Sequence, residues 1–396
     1  MERVQGAGKV SFACDILLAW RTIADGVTVQ TSKTRERYWK DWTGYCHQCN
    51  TDPFLSSYSP CERAVILTAF AARVRTGAYG RGDQVKVQAV TDALAAISKT
   101  CELVGKCSPV YKSEGTYILP IQRIVEGFRR QDPPAIPQMA VPVEVPEAAR
   151  RLAYLTSDPR KHAAGDLTVI AFYFLLRSGE YTKPRMVKRN GKMVRATRTV
   201  QFRVQDVGFW KDGHILPRNS PLSLLLQADS ATMKITNQKN GRTGQTLHQE
   251  STGPDGAVAA LARRVHHILS NGGNDKQLIC DVFDNDVWVS IHSSEIVSAV
   301  RMASKALNLQ DRGIDPDMIG AHSLRAGGAM ALKIMGYSDS TIRKFGRWTS
   351  DTWQMYIHSQ ISRLYEGVAQ KMSTPINFHN IAFIEPPSSM QDDVME

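Results

Sequence analysis

The chain has no hydrophobic run long enough to cross a bilayer. The longest largely apolar stretch, Leu167 to Leu176, is ten residues, against the ~20 that a spanning helix needs. Near the N-terminus Asp15 interrupts the only apolar patch, which argues against a secretory signal. Cysteine is sparse and odd in number, 7 in 396 residues. That usage fits a reducing, intracellular compartment and not a disulfide scaffold. No glycine-rich turn is completed by Lys followed by Ser or Thr, so Gly77 to Gly82 reads as a polar turn and not a phosphate loop. Metal ligands do not assemble either. Cys46-His47-Gln48-Cys49 is followed nearby only by Cys61, without a His pair, and its order is wrong for haem attachment. No internal repeat is evident. These absences call for no membrane, no metal and no cofactor.

Acid is the other shortage. Lys and Arg total 49 against 38 Asp and Glu, a formal net charge of +11. Such an excess points to a polyanionic partner, nucleic acid first. The shortage is sharpest from Tyr181 to Gln205, which holds eight Lys or Arg and no acid. Lys183, Arg185, Lys188, Arg189, Lys192, Arg195 and Arg198 in that segment are candidates for phosphate contact, which gives affinity without sequence information.

Hydrophobic periodicity divides the chain. Phe12–Ala24, Thr34–Cys49, Ala64–Arg75, Val85–Leu103 and Leu119–Arg130 read as helices. Together they make a small bundle, residues 1–131. The basic residues at 33, 35, 37 and 40 face either phosphate or solvent. Residues 132–146 carry five prolines in fifteen positions, a composition that reads as a semi-rigid linker. A second domain, 147–373, opens with helices at Glu147–Leu155 and Asp166–Leu176. Strand signals follow: Val200, Phe202 and Val204 alternate, Trp210–His214 suggests a turn before Ile215, and Met233 and Ile235 alternate. A polar turn at Lys239–Gly244 leads to a return strand, Gln245–Gln249. Residues 374–396 read as a partly disordered tail. The fold class is mainly α with a small antiparallel β-sheet.

One short block concentrates chemistry. Between Gly320 and His358 stand His322, Arg325, Trp348 and Tyr356. They supply a proton-transfer group, a phosphate clamp, an indole donor and a phenolic nucleophile. His322 and Arg325 are three apart, one face of a helix. Gly327 and Gly328 follow inside that helix, where glycine costs stability and a close backbone approach would explain it. Gly336 ends the helix, Ser338 or Asp339 caps the next, and Ser350 or Asp351 caps a third that carries Tyr356.

The set resembles the tyrosine recombinase (phage integrase-like) family, in the style of eukaryotic mobile elements (Arg-Ala-Gly-Gly-Ala and Gly-Arg-Trp-x-Ser-Asp). That family carries His-x-x-Arg, then a His or Trp, then a nucleophilic Tyr eight or nine residues on; Tyr356 follows Trp348 by eight. It also requires an upstream Arg with an acid three residues on, met by Arg177 and Glu180, and a hairpin lysine, for which Lys239 fits best and Lys234 competes. The resemblance covers residues 150 to 365. It implies a helical core-binding domain followed by a mixed α+β catalytic domain. It further implies a site-specific recombinase or integrase that forms a 3′-phosphotyrosine on double-stranded DNA without metal or ATP, acting as a homotetramer on two sites. In it Arg177 and Arg325 clamp the phosphate, His322 and the lysine move protons, Trp348 donates its N–H, and Glu180 orients. Tyr337 and Tyr365 do not fit the spacing. A retired DNA-binding descendant and a type IB topoisomerase-like cutter are the rival readings. A eukaryotic host would place the protein in the nucleus.

Overall fold

Tyr38, Trp42 and Tyr45 recur at helical spacing and therefore share a face. In the computed structural model they lie buried on α1 (Val29–Gln48). The structure describes residues 26–80, 82–113, 115–133, 139–189, 191–197, 199–236, 244–350 and 353–354, together with 12, 14–19, 22 and 23. The described residues between 12 and 23 are helical. Phe70, on α2 (Pro60–Arg75), meets Trp42 edge-on at 5.0 Å between ring centroids. Helices α3 (Val87–Leu103) and α4 (Leu119–Gln131) complete this core with Leu94, Ile97 and Ile121. A short hairpin, β1 (Tyr111–Ser113) and β2 (Thr116–Tyr117), joins them. Helix α2 begins with a reciprocal cap. Glu62 N–H donates to Ser59 Oγ at 3.4 Å, and Ser59 N–H donates to Glu62 Oε2 at 2.8 Å. Asp132 ties three helix ends together: it accepts from the buried Arg75 and from Val87 N–H. Cys46 is buried in the core while Cys49 is exposed.

The second core is organised by α6. Helix α5 (Glu144–Tyr154) precedes it, and α6 (Pro159–Tyr173) buries ten consecutive residues, Ala163 to Phe172. A helix buried on every side must be surrounded. Here α5 covers it together with α9 (Ala257–Ser270), α10 (Ser293–Ala306) and α11 (Ser323–Ile334). Between α6 and α9 lie α7 (Ser178–Tyr181), a hairpin of β3 (Met186–Arg189) and β4 (Lys192–Arg195), and a sheet. The sheet holds β5 (Val207–Lys211), β6 (His214–Leu216), β7 (Ser230–Lys234) and β8 (Thr246–Glu250) in the order β6-β5-β7-β8, all antiparallel, with α8 (Leu222–Leu225) between β6 and β7. Asp212 and Gly213 turn β5 into β6 with φ of +50° and +78°, the geometry of a two-residue hairpin loop. A further hairpin, β9 (Asp281–Asp284) with β10 (Val287–Ser290), precedes α10, and α12 (Asp339–Phe345) follows α11.

Two local expectations change. The helix expected from Glu147 starts at Glu144, with Pro146 inside its first turn, where the missing N–H costs nothing. Val141, ahead of the helix, and Val145, in its first turn, are buried in the second core, which pulls the last of the proline-rich segment onto that core. Residues 200–204 bury Phe202 and Val204 as the alternation implies, but they form no ladder strand. Their backbone is instead held by single bonds to Glu180, Ile279 and Gln277, because this segment passes between α7 and the loop before β9. The hairpin turn at 239–243, the third C-terminal helix and the tail 374–396 lie outside the described residues. No described helix is long and apolar enough to cross a membrane.

Candidate active site

The site is built on a strained turn. Helix α6 closes at Phe174, and Leu175 takes the left-handed conformation at φ +48°. A non-glycine residue there costs about 1–2 kcal/mol. Its side chain is offset by burial against Ala329, Ile342 and Trp353. Its carbonyl is the reward: it accepts from Arg325 Nη1 and, at 2.9 Å, from Arg347 Nη2.

Two residues on, the chain starts α7, with Arg177 before its first turn and Glu180 as its third residue. At that spacing a carboxylate can reach back to the capping N–H. Glu180 Oε2 accepts from Arg177 N–H at 2.8 Å and Oε1 from Arg177 Nη1 at 3.2 Å. The same carboxylate accepts Nη1 and Nη2 of Arg347 at 3.2 and 3.1 Å. Glu180 and Arg347 are both buried; Arg177 keeps 22% of its side chain exposed. Burial holds the Arg347 guanidinium below its ordinary range; Glu180 opposes that shift and Arg177 reinforces it.

Helix α11 supplies the opposite wall. His322 stands exposed at its N-terminus and Arg325 is its third residue. Arg325 is 1% exposed, with its two guanidinium ends on the carbonyls of Leu175 and Gly346. A phosphate can therefore reach Arg177 as the molecule stands, and reaches Arg325 only if its cover shifts. Gly327 and Gly328 let α11 approach this closely. A Cβ at Gly327 would lie 2.0 Å from Val141 O, and one at Gly328 2.5 Å from Phe172 O. Gly346 serves the same end: its missing Cβ leaves room for the Trp348 ring, 1.6 Å from where that Cβ would stand. The Trp348 ring then lies 4.3 Å from the Arg325 guanidinium carbon, a cation–π contact worth about 0.5–2 kcal/mol.

Of the residues singled out from the sequence, Arg177, Glu180, Arg325 and Trp348 are thus brought together, with His322 on the helix that carries Arg325. Lys234 is exposed at the end of β7, opposite Thr246. Tyr356, Lys239 and Arg198 lie outside the described residues, as does the side chain of Arg189. Lys183, Arg185, Lys188 and Lys192 are exposed, and Arg195 is half-buried on Gln201. The Lys188 carbonyl accepts from Lys33 Nζ of α1 at 2.7 Å, so α1 touches this basic hairpin. Tyr337 sits past the far end of α11 from Arg325, about 15 Å along the axis at 1.5 Å per residue. Tyr181 is close to the cluster but fully buried, and burial, then Glu180, push its phenol up.

Arg347 is the residue that sequence reasoning missed. Its one sequence signal is its place between Gly346 and Trp348. Nothing local marks it as buried, and its φ of +61° is a rare conformation for arginine.

Two guanidiniums, those of Arg177 and Arg347, therefore share one carboxylate, an excess of one positive charge in that group of three close to the surface at Arg177, with Arg325 beside them on the Leu175 carbonyl. Buried charge in excess is costly unless an anion completes it. Planar N–H forks suit the oxygens of a phosphate. Among the described residues no group of three or more His, Cys, Asp or Glu is placed to hold a metal ion.

No protein-family model matches the chain, and no curated protein does. Among solved structures it is similar to the Tn1549 transposon integrase in complex with transposon right end DNA, at 10% identity over 91% of this chain and 99% of that one, TM-score 0.47. It is similar also to XerH site-specific recombinase bound to palindromic difH substrate in a post-cleavage complex (14% identity, 78% and 72% coverage, TM-score 0.46). A third is XerA recombinase (15%, 87% and 99%, TM-score 0.36). At such identities and scores the likeness gives no residue of this chain a role.

Proposed function

We propose that the chain is a site-specific DNA recombinase or integrase that cuts and rejoins strands through a 3′-phosphotyrosine, with no metal or ATP in the chemistry. The observation that carries the reading is the cationic cluster itself: Arg177, Arg325 and Arg347 gathered on Glu180 and the Leu175 carbonyl, with Tyr356 eight residues beyond Trp348.

In this reading a phosphodiester enters at Arg177 and engages Arg325 as the cover over it shifts. The two forks neutralise the non-bridging oxygens as charge builds on phosphorus. A free phenol has a pKa of about 10, so the cations also favour the phenolate of Tyr356. The phenolic oxygen bonds to phosphorus, the 5′-oxygen leaves, and Lys239 or Lys234 gives it a proton. His322 handles the proton at the nucleophile. The bond energy stays in the phosphotyrosyl ester, so a second 5′-hydroxyl can reverse the step. Exposed Lys183, Arg185, Lys188 and Lys192 follow the duplex backbone, together with Arg189, Arg195 and Arg198. Exchange between two duplexes calls for a homotetramer, two protomers to each DNA.

The test is covalent capture. A library of randomised duplexes, each nicked so that the cut fragment diffuses away, is incubated with the protein, and adducts resistant to detergent are recovered and sequenced. Native protein yields adducts on a common sequence; Tyr356→Phe yields none. Adducts with Tyr356→Phe sink the assigned nucleophile. Native binding without adducts favours a retired DNA-binding protein, and relaxation without strand transfer favours a topoisomerase.

A further inference from the structure

Arg347 has a side chain with no exposed surface, so it cannot touch a phosphate as the site stands. Its guanidinium instead crosses both oxygens of Glu180 and one carbonyl, while its Nε is buried without a partner. Holding an arginine here costs a left-handed backbone and a buried charge. A packing role alone is better filled by an apolar side chain or a glycine.

The consequence falls on Arg177. An arginine beside a carboxylate ordinarily closes on it with two parallel N–H bonds. Arg177 does not, because the Arg347 fork takes one acceptor site on each oxygen and the Arg177 backbone N–H takes the second on Oε2, which leaves its guanidinium a single site on Oε1. Among the described residues its guanidinium makes one bond to Glu180 and one long bond, 3.4 Å, to the Arg347 carbonyl. A guanidinium has five N–H groups, so most of the Arg177 donors remain for a ligand. Arg177 is also the arginine of the three that reaches the surface.

We propose that Arg347 is a positioning residue: by holding one acceptor site on each oxygen of Glu180 it stops Arg177 from closing on that carboxylate with its whole fork and keeps the Arg177 fork directed to phosphate. This rests on the phosphate-binding reading of the site. The arrangement makes Glu180 both the anchor of Arg177 and its competitor for the ligand, with Arg347 deciding between the two. Removing Arg347 therefore has a specific consequence that loss of packing does not. Arg177 is captured by Glu180, and removing Glu180 as well releases it.

The experiment compares native protein, Arg347→Met, Arg347→Lys, Glu180→Gln and the Arg347→Met/Glu180→Gln double variant. Arg347→Gly, which also relieves the left-handed backbone, replaces the Met variant where that does not fold. Affinity for inorganic phosphate is read by calorimetry, and single-turnover adduct formation on the captured duplex is read in parallel. Arg347→Met is expected to weaken phosphate binding and to slow adduct formation on the order of 100-fold, the scale of losing one oriented donor, with duplex affinity unchanged. Arg347→Lys keeps the charge but not the fork and does not restore either. The double variant recovers phosphate affinity relative to Arg347→Met. Simple addition of the two single effects, or equal phosphate affinity in native and Arg347→Met, overturns the proposal. A native chain that binds phosphate yet traps no DNA sinks the strand-exchange reading alone, because the phosphate titrations still decide the role of Arg347.

Discussion

Glu180→Gln is the sharpest test of the electrostatics of this cluster. The carboxylate accepts four bonds, two from Arg177 and two from Arg347, at 2.8 to 3.2 Å, and is 3% exposed. Glutamine keeps one acceptor oxygen. It turns an N–H₂ toward donors that cannot accept, so about two of the four bonds are lost. Hydrogen bonds to charged groups contribute about 1.5–3 kcal/mol each, and breaking a buried ion pair from one side costs about 3–5 kcal/mol. Both routes lead to roughly 4 kcal/mol. At about 2–4 °C per kcal/mol for a unit of some 200 residues, the transition of the second core should come roughly 10 °C earlier. The loss should be partly reversible. With the carboxylate gone, the Arg177 and Arg347 guanidiniums lose the counter-charge they share, so inorganic phosphate should raise the melting temperature of Glu180→Gln more than that of native protein. Scanning calorimetry with and without phosphate measures both effects. A loss under about 1 kcal/mol, well short of what a broken buried pair costs, or a variant indifferent to phosphate, would refute the view that Glu180 balances a cationic anion site.

Three further outcomes are expected. Alanine at whichever of Lys239 and Lys234 is the general acid should stall adduct formation, and a 5′-phosphorothiolate leaving group, which needs no proton, should restore it; rescue of the Lys234 variant alone transfers the role to Lys234. Gly327→Ala should destabilise by about 1–3 kcal/mol, the usual range for overpacking, because its Cβ would stand 2.0 Å from a backbone oxygen; an unchanged denaturant midpoint contradicts this close approach. His267 is held down to about 4 by burial first and by Arg264 next, and its Nε2 accepts from Phe283 N–H at 3.0 Å. The unfolded chain, with an imidazole near 6.5, therefore binds the extra proton first as pH falls. The stability His267 contributes should be complete above about pH 6.5 and drain away toward pH 4, a slope that His267→Gln should flatten in urea titrations across this window; equal slopes in the two proteins would remove His267 from the account.

What the sequence determined by itself is what local geometry can reach. Apolar spacing at 38, 42 and 45, and the run through Phe172, specify helices because a helix brings residues three and four apart onto one face. The same rule pairs Arg177 with Glu180 and sets His322 beside Arg325, and the tandem glycines of α11 announce a close approach. Local geometry says nothing of partners 150 residues away. Alternation at 200–204 correctly implies burial, yet whether a strand lies there depends on which backbone passes alongside. Only the tertiary structure decided that the Leu175 carbonyl joins Arg325 to Arg347 and that Trp348 covers Arg325. It also decided that Arg347, with no pattern around it, becomes the buried partner of Glu180. A buried charge is compatible only with a fold that brings its counter-charge to it, and that meeting is made by chain closure.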